Sequence, residues 1–195
     1  AGLLAGAGKV YVGLLAPDPP AFDPTHPELM LRSVDDTLAA DVLVIGPGAG
    51  HSPSQTSISA FERMTLPALL SLPKPLVIDA DALNAIAIHE AMRDAIAGNR
   101  RAPTILTPHP AEAARLLRTT IDAVQADRLA AALALAERFK AEVVLKGAGS
   151  VCAGPDGTWS VNATGNAGLA SGGTGDVLAG MIGALLCQGL PAREA

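Results

Sequence analysis

Five short apolar runs punctuate the chain, each leading into a loop and then, in most cases, into helical periodicity. They are "KVYVGLLA", "DVLVIGPGAG" from Asp41, "PLVIDADAL" from Pro75, "TILTPHP" from Thr104 and "EVVLKGAGS" from Glu142. None alternates polar with apolar, which is the pattern of strands buried on both faces, as parallel strands are. Between them, apolar residues at helical spacing predict helices over Ser54 to Leu72, Ala82 to Ala97, Ala111 to Leu117 and Ile121 to Phe139. A last helix is expected from Asp176 onward, carried by Val177, Leu178, Met181, Ile182, Leu185 and Leu186. Strand and helix in alternation predict an α/β fold: a doubly wound, mostly parallel sheet flanked by helices. "SVCAGPDGTWSV" departs from this rhythm, and its "GPDG" centre predicts a short β-hairpin in the C-terminal half.

The first residues, "AGLLAGAGKVYVGLLA", are apolar enough to raise a membrane or leader reading, but Lys9 and the frequent glycines interrupt them. They are read as a helix end broken at Gly6 and Gly8, then a strand from Val10 to Leu15. At 195 residues and 49% hydrophobic, the chain has enough apolar residues for one substantial core and is not disordered. Charge adds an exclusion: at −5, with no Lys/Arg cluster, a nucleic-acid or anionic-membrane partner is not expected. Aromatics at 3% leave little for base stacking. Cys152 and Cys187 have no metal-ligand spacing and are expected to be buried free thiols.

In open α/β sheets, ligands bind beyond the carboxyl ends of the strands. The conspicuous polar clusters fall there: "GPGAGH" after the second run, "DAD" at the third, "TPHPAE" after the fourth and "KGAGS" after the fifth. "GAGK" at Gly6 to Lys9 lacks the Ser/Thr that would hold magnesium in a P-loop, and it is rejected. "GPGAG" by itself fits a tight strand-to-helix turn as well as a ligand loop. Asp79 and Asp81 suit metal ligation or strand-end hydrogen bonding, and Lys146 suits phosphate neutralisation or simple snorkelling. His109 stands between two prolines that rigidify its loop, with Glu112 opening the next helix, on a loop separate from the lysine and glycine motifs. His26, His51 and His89 are read as surface residues.

"NATGNAGLASGGTGDVLAGM", Asn162 to Met181, sets glycines and one aspartate before an apolar helix. A glycine turn opening into a helix N-terminus is an anion site, because unpaired N–H groups and the helix dipole point the same way. Asp176 is an anion where an anion should bind. It is either a helix-capping carboxylate or a base beside a phosphate. The clusters together suit phosphoryl transfer, which needs backbone donors for developing charge and a carboxylate for the attacking hydroxyl.

"IGPGAG", "VIDADALN", "LTPHPAEAARLL", "VVLKGAGS" and "GNAGLASGGTGDVLAGMIGALLCQG" resemble, in order and spacing, the ADP/ATP-dependent NAD(P)H-hydrate dehydratases. The resemblance implies a ribokinase-like three-layer sandwich spanning 1–195 as one domain, without its first strand and final helix. It implies an enzyme that phosphorylates the C6 hydroxyl of the S epimer of NADH-hydrate or NADPH-hydrate and then eliminates phosphate, restoring NAD(P)H. Asp176 would be the catalytic base, with Gly173, Thr174 and Gly175 as anion hole. Lys146, Gly147, Ala148, Gly149 and Ser150 would form the adenine-nucleotide loop, joined by Gly175 and Asn166. Gly48, Gly50, His109 and Asp81 would bind the hydrate beside Asp176, and Glu112 would organise Mg2+ indirectly. ADP or ATP and Mg2+ are the implied cofactors. A cytoplasmic homo-oligomer is expected, in a protein whose relatives are often fused to an epimerase domain. Ala111 replaces the glycine of the family's "PHPGE" and narrows that loop.

Two other readings remain open at this stage. One is a small-molecule kinase of the same superfamily, for a sugar, a hydroxymethylpyrimidine or a thiazole alcohol. The other is a non-catalytic nucleotide-binding domain, against which the carboxylate of Asp176 speaks.

Overall fold

The computed structural model describes residues 1–16, 18–50, 59–99 and 102–195. Its main sheet has six strands: β3 (Leu43–Ile45), β4 (Leu76–Ile78), β5 (Thr104–Leu106), β6 (Glu142–Leu145), β7 (Ser150–Ala153) and β8 (Trp159–Asn162), in that spatial order. The first four run parallel, and β7 and β8 add on antiparallel as the expected hairpin. The first apolar run stays out of this sheet. It forms β1 (Tyr11–Gly13), paired in parallel with β2 (Met30–Arg32), which the sequence pattern had not marked. The residues before β1 form turns rather than the expected helix end.

Helices follow the strands, with two breaks that periodicity alone did not show. After α1 (Val34–Thr37), residues 60–71 are helical through a π-helical turn (Phe61–Thr65) and α2 (Leu66–Ser71); the rest of the helix expected from Ser54 lies outside the described residues. The helix expected over Ala82 to Ala97 is two, α3 (Ala80–Ile88) and α4 (Glu90–Asn99), parted at His89 in an extended conformation. Buried Arg93 donates to the Ala87 and Ile86 carbonyls and so caps α3 at the break. The helix expected over Ile121 to Phe139 is also two. Asp127 ends α6 (Ile121–Ala126) and caps α7 (Arg128–Phe139) by accepting from the Ala130 N–H at 2.9 Å. α5 (Pro110–Leu117) and α8 (Thr174–Cys187) match their patterns closely.

Period-two side-chain alternation assigns the two sheet faces. Leu43, Ile45, Leu76, Ile78, Leu106, Val143 and Leu145 point to the face covered by α3, α5 and α7, where Leu83, Ile86, Leu116, Leu135 and Phe139 complete the larger core. Val77 and Ile105 point the other way, onto Ala179, Ile182 and Leu186 of α8. The result is a three-layer α/β/α sandwich, thick on one side and, among the described residues, covered by α8 on the other. Each large apolar side chain removed from water contributes roughly 1.5–3 kcal/mol, so the first face carries most of the stabilisation. Cys187 is exposed and Cys152 half-buried, contrary to expectation, because Cys187 lies in the last turn of α8 beyond the sheet-facing stripe. Among the described residues no helix is long and apolar enough to cross a membrane.

Gly46 shows how tightly the strand ends pack. Its φ is +114°, and a Cβ there would land on the Asp79 carbonyl oxygen and come within 2.8 Å of the Ala82 Cβ. Gly46→Ala is expected to cost about 3 kcal/mol or more, combining left-handed strain with backbone collision. Urea unfolding midpoints of variant and parent check this; a loss under about 1 kcal/mol, the size of an ordinary substitution, would show that the strand ends can part.

Candidate active site

The carboxyl ends of β4, β5 and β6 bring together charges that lie far apart in sequence. Asp79, just past β4 and almost wholly buried, accepts from the Lys146 ammonium at 2.6 Å. Lys146 follows β6, and its backbone N–H donates to the Pro108 carbonyl at 2.8 Å, tying the "TPHP" loop to the "KGAGS" loop. Its ammonium also stands 4.0 Å from Glu112 Oε2. The opening of α8 closes over this group: a Cβ built on Gly175 would sit 3.3 Å from Lys146 Nζ and 3.6 Å from Asp79 Oδ2.

His109 and Glu112 form a reciprocal capping box at the start of α5. His109 Nδ1 accepts from the N–H groups of Ala111 and Glu112, at 3.1 and 3.3 Å, and Glu112 Oε2 accepts from the His109 N–H at 2.8 Å. With Nδ1 accepting, the neutral ring carries its proton on Nε2, which lies 3.3 Å from Glu112 Oε1. Burial pushes the Glu112 carboxyl up to about 6, against the His109 N–H and the Lys146 charge, which pull it down. Burial, then the Lys146 and Arg115 charges, hold His109 below the ordinary imidazole value. His109 is therefore not on a loop apart from the lysine motif, as its sequence position suggested. It belongs to the same charged cluster.

The glycine turn provides the donors that the sequence led us to expect. Gly173 caps α8 with φ +88°, and the N–H groups of Gly172, Gly173, Gly175 and Asp176 donate to no described group. Thr174 does not join them: its N–H donates to the Ser171 carbonyl at 3.5 Å, and its hydroxyl is directed at the Leu169 and Ser171 carbonyls, both at 2.9 Å. Asp176 lies exposed in the first turn of α8 and makes no side-chain hydrogen bond or ion pair among the described residues. It caps nothing, so the capping alternative fails on geometry.

The remaining candidates fall around this centre. The Gly50 N–H donates to Asp81 Oδ2 at 2.9 Å, joining "GPGAG" to "DAD", while Gly48 has φ +64° in the same turn. Ala80, between the two aspartates, has φ +50°, a conformation uncommon outside glycine and enriched at working sites. Asn166 is spent locally, its Oδ1 accepting from the Gly168 N–H at 2.9 Å. Ser150 donates to the Gly147 carbonyl at 3.1 Å, and Gly147 and Gly149 both have positive φ. One contributor went unread. Arg128, at the start of α7, donates to the Ala148 carbonyl and, at 3.1 Å, to that of Leu145. The available signal was a cation at a helix N-terminus, against the dipole. A cavity of about 270 Å³ between α2 and α4, lined by Leu70, His89 and Met92, lies away from this cluster.

Comparison with known proteins gives this geometry a context. A family model described as NAD(P)H-hydrate dehydratase matches residues 1–195. The ADP-dependent (S)-NAD(P)H-hydrate dehydratase of Neisseria meningitidis is 43% identical over 201 residues, covering 100% of this chain and 65% of its own length. The crystal structure of the ADP/ATP-dependent NAD(P)H-hydrate dehydratase of Bacillus subtilis, co-crystallised with ATP/Mg2+ and soaked with CoA, is 30% identical. It superposes with a TM-score of 0.73 over 95% of this chain and 66% of its own. A ribokinase-like superfamily protein of Enterococcus faecalis is 28% identical, with a TM-score of 0.74 over 95% of this chain and 63% of its own. The chain thus spans just under two thirds of these relatives.

The capping box carries a pH dependence. With its pKa raised from 4.5 to about 6, Glu112 in the folded chain holds a proton between those values that the unfolded chain has released. Its contribution therefore favours folding below that window and is withdrawn as the pH rises through it, by on the order of 2 kcal/mol. Urea unfolding of the parent and of Glu112→Gln from acid to neutral pH is expected to show the parent alone losing this increment. Parallel curves for the two proteins would contradict the assignment.

Proposed function

The chain belongs to the NAD(P)H-hydrate dehydratase family, and on that premise we propose that it dehydrates the S epimer of NADH-hydrate or NADPH-hydrate at the expense of ADP or ATP. The observation that carries this is the Asp176 carboxylate, without a partner among the described residues, next to backbone N–H groups equally without one and to Gly175, which abuts the Lys146 ammonium.

In this reading the nucleotide's terminal phosphate lies against the N–H groups of Gly172, Gly173 and Gly175, with Lys146 neutralising charge and Gly147 to Ser150 receiving the rest of the nucleotide. Asp176 takes the proton of the C6 hydroxyl as its oxygen attacks the terminal phosphorus and the shorter nucleotide leaves. Phosphate then departs from C6 while C5 gives up a proton, and the dihydropyridine ring is restored. Gly48, Gly50, Asp81 and His109 line the hydrate side of the same strand ends, and Asn166 flanks the glycine turn. Asp79 holds Lys146 in place.

Magnesium fits as a companion of the nucleotide and not as a resident of the protein. Among the described residues no three His, Cys, Asp or Glu side chains cluster to hold a metal, which suits an ion carried mainly by phosphate oxygens and water. Glu112, at the base of α5, would hold such an ion indirectly, and the ion would supply charge neutralisation at the phosphates.

The assay is incubation with NADH-hydrate and ADP, following regenerated NADH together with AMP and phosphate. A phosphorylated alcohol in place of free phosphate would make this a small-molecule kinase of the same fold. Asp176→Asn is expected to slow single-turnover repair by ~10²–10⁴-fold, about 3–5 kcal/mol in the barrier. Its melting temperature should hold, because the carboxylate has no described partner to lose. Near-normal turnover in that variant would sink the proposed chemistry.

A further inference from the structure

We propose that Arg128 is a positioning residue for nucleotide phosphates, acting through the 146–150 loop; this deepens the functional reading above and rests on it. Arg128 opens α7, where the helix dipole disfavours a cation, so its place asks for a compensating interaction. Its guanidinium reaches beneath the loop and donates to the carbonyls of Leu145 and Ala148, before and within the turn. Arg128 Nε is buried and has no partner among the described residues, so the side chain accepts a polar cost to hold that pose. Gly147 completes the fit: φ there is +149°, and a Cβ would come within 2.8 Å of Arg128 Nη2. A side chain at Gly147 would therefore press on the guanidinium in this pose.

The consequence lies in what the loop has left to offer. The carbonyls of Leu145 and Ala148 go to Arg128, and that of Gly147 to the Ser150 hydroxyl. The N–H groups of Gly147, Ala148 and Gly149 donate to no described group. A turn with its acceptors engaged and its donors free is an anion receiver. A lysine could not do the same, because one ammonium lacks the planar fork that meets two carbonyls at once.

The test titrates ADP and ATP calorimetrically into the full-length protein and its Arg128→Met and Arg128→Lys variants, with steady-state repair measured in parallel. Arg128→Met is expected to raise the ADP Kd and KM by roughly ten- to hundredfold, the range of one or two hydrogen bonds from a charged donor. The hydrate KM and kcat should stay within about threefold, well inside one tenfold step. Arg128→Lys should remain weakened, and guanidinium at low millimolar concentration should restore ADP binding to Arg128→Met without affecting the parent. Unchanged ADP affinity in Arg128→Met overturns the proposal. So does an equal loss of both ligands with a lowered melting temperature, which would make Arg128 a folding residue only. A parent protein that binds neither ADP nor ATP takes down the functional reading itself, and the proposal with it.

Discussion

The ion pair between Lys146 and Asp79 is the constraint around which the strand ends are arranged. Asp79 is almost wholly buried, and a buried carboxylate stripped of its partner leaves an uncompensated charge worth about 3–5 kcal/mol. Lys146 must therefore stay over the end of β4, which draws the loop after β6 toward the middle of the sheet. The Lys146 N–H on Pro108 draws the loop after β5 the same way. Gly46, with no room for a side chain against Asp79, lets the end of β3 close in from the other flank. Four strand ends thus converge on one buried pair.

The sheet's topology explains why the cluster is open to ligands. Strand order follows chain order from β3 to β8, so the crossover helices α3, α5 and α7 stack on one face, while α8 covers part of the other. α8 arrives from that second face, and its first turn meets the cluster from outside. Its unpaired N–H groups and the Asp176 carboxylate are delivered to the mouth of the site, while the pair that holds Lys146 lies beneath.

His109 and Glu112 illustrate how one device serves structure and site together. Their capping box starts α5 and so supports the larger core, yet both side chains sit in the field of Lys146 and Asp79. A carboxyl raised to about 6 by burial would ordinarily be a liability. Here the His109 backbone N–H donates to its Oε2 at 2.8 Å, and the Lys146 ammonium stands 4.0 Å from the same oxygen.

Much of this was legible in the chain. Non-alternating apolar runs stated that the strands of the main sheet's parallel part are buried, the "GPDG" stretch announced the hairpin, and glycines before the α8 stripe marked a turn whose N–H groups find no described partner. These are local signals, and local periodicity is what side-chain burial on one face imposes. The breaks at His89 and Asp127 were hidden because the apolar stripe continues across them, and only capping by Arg93 and Asp127 ends each helix. The fate of the first run was hidden too, since nothing in "KVYVGLLA" distinguishes a strand of the main sheet from one paired with Met30–Arg32. The site's parts could be named from residue type and spacing, but not their partners. Lys146 and Asp79 stand 67 residues apart, and Arg128 reaches the Ala148 carbonyl across 20. Such meetings are decided by the order in which strands align, and that order is set by packing over the whole sheet, which no short stretch of sequence contains.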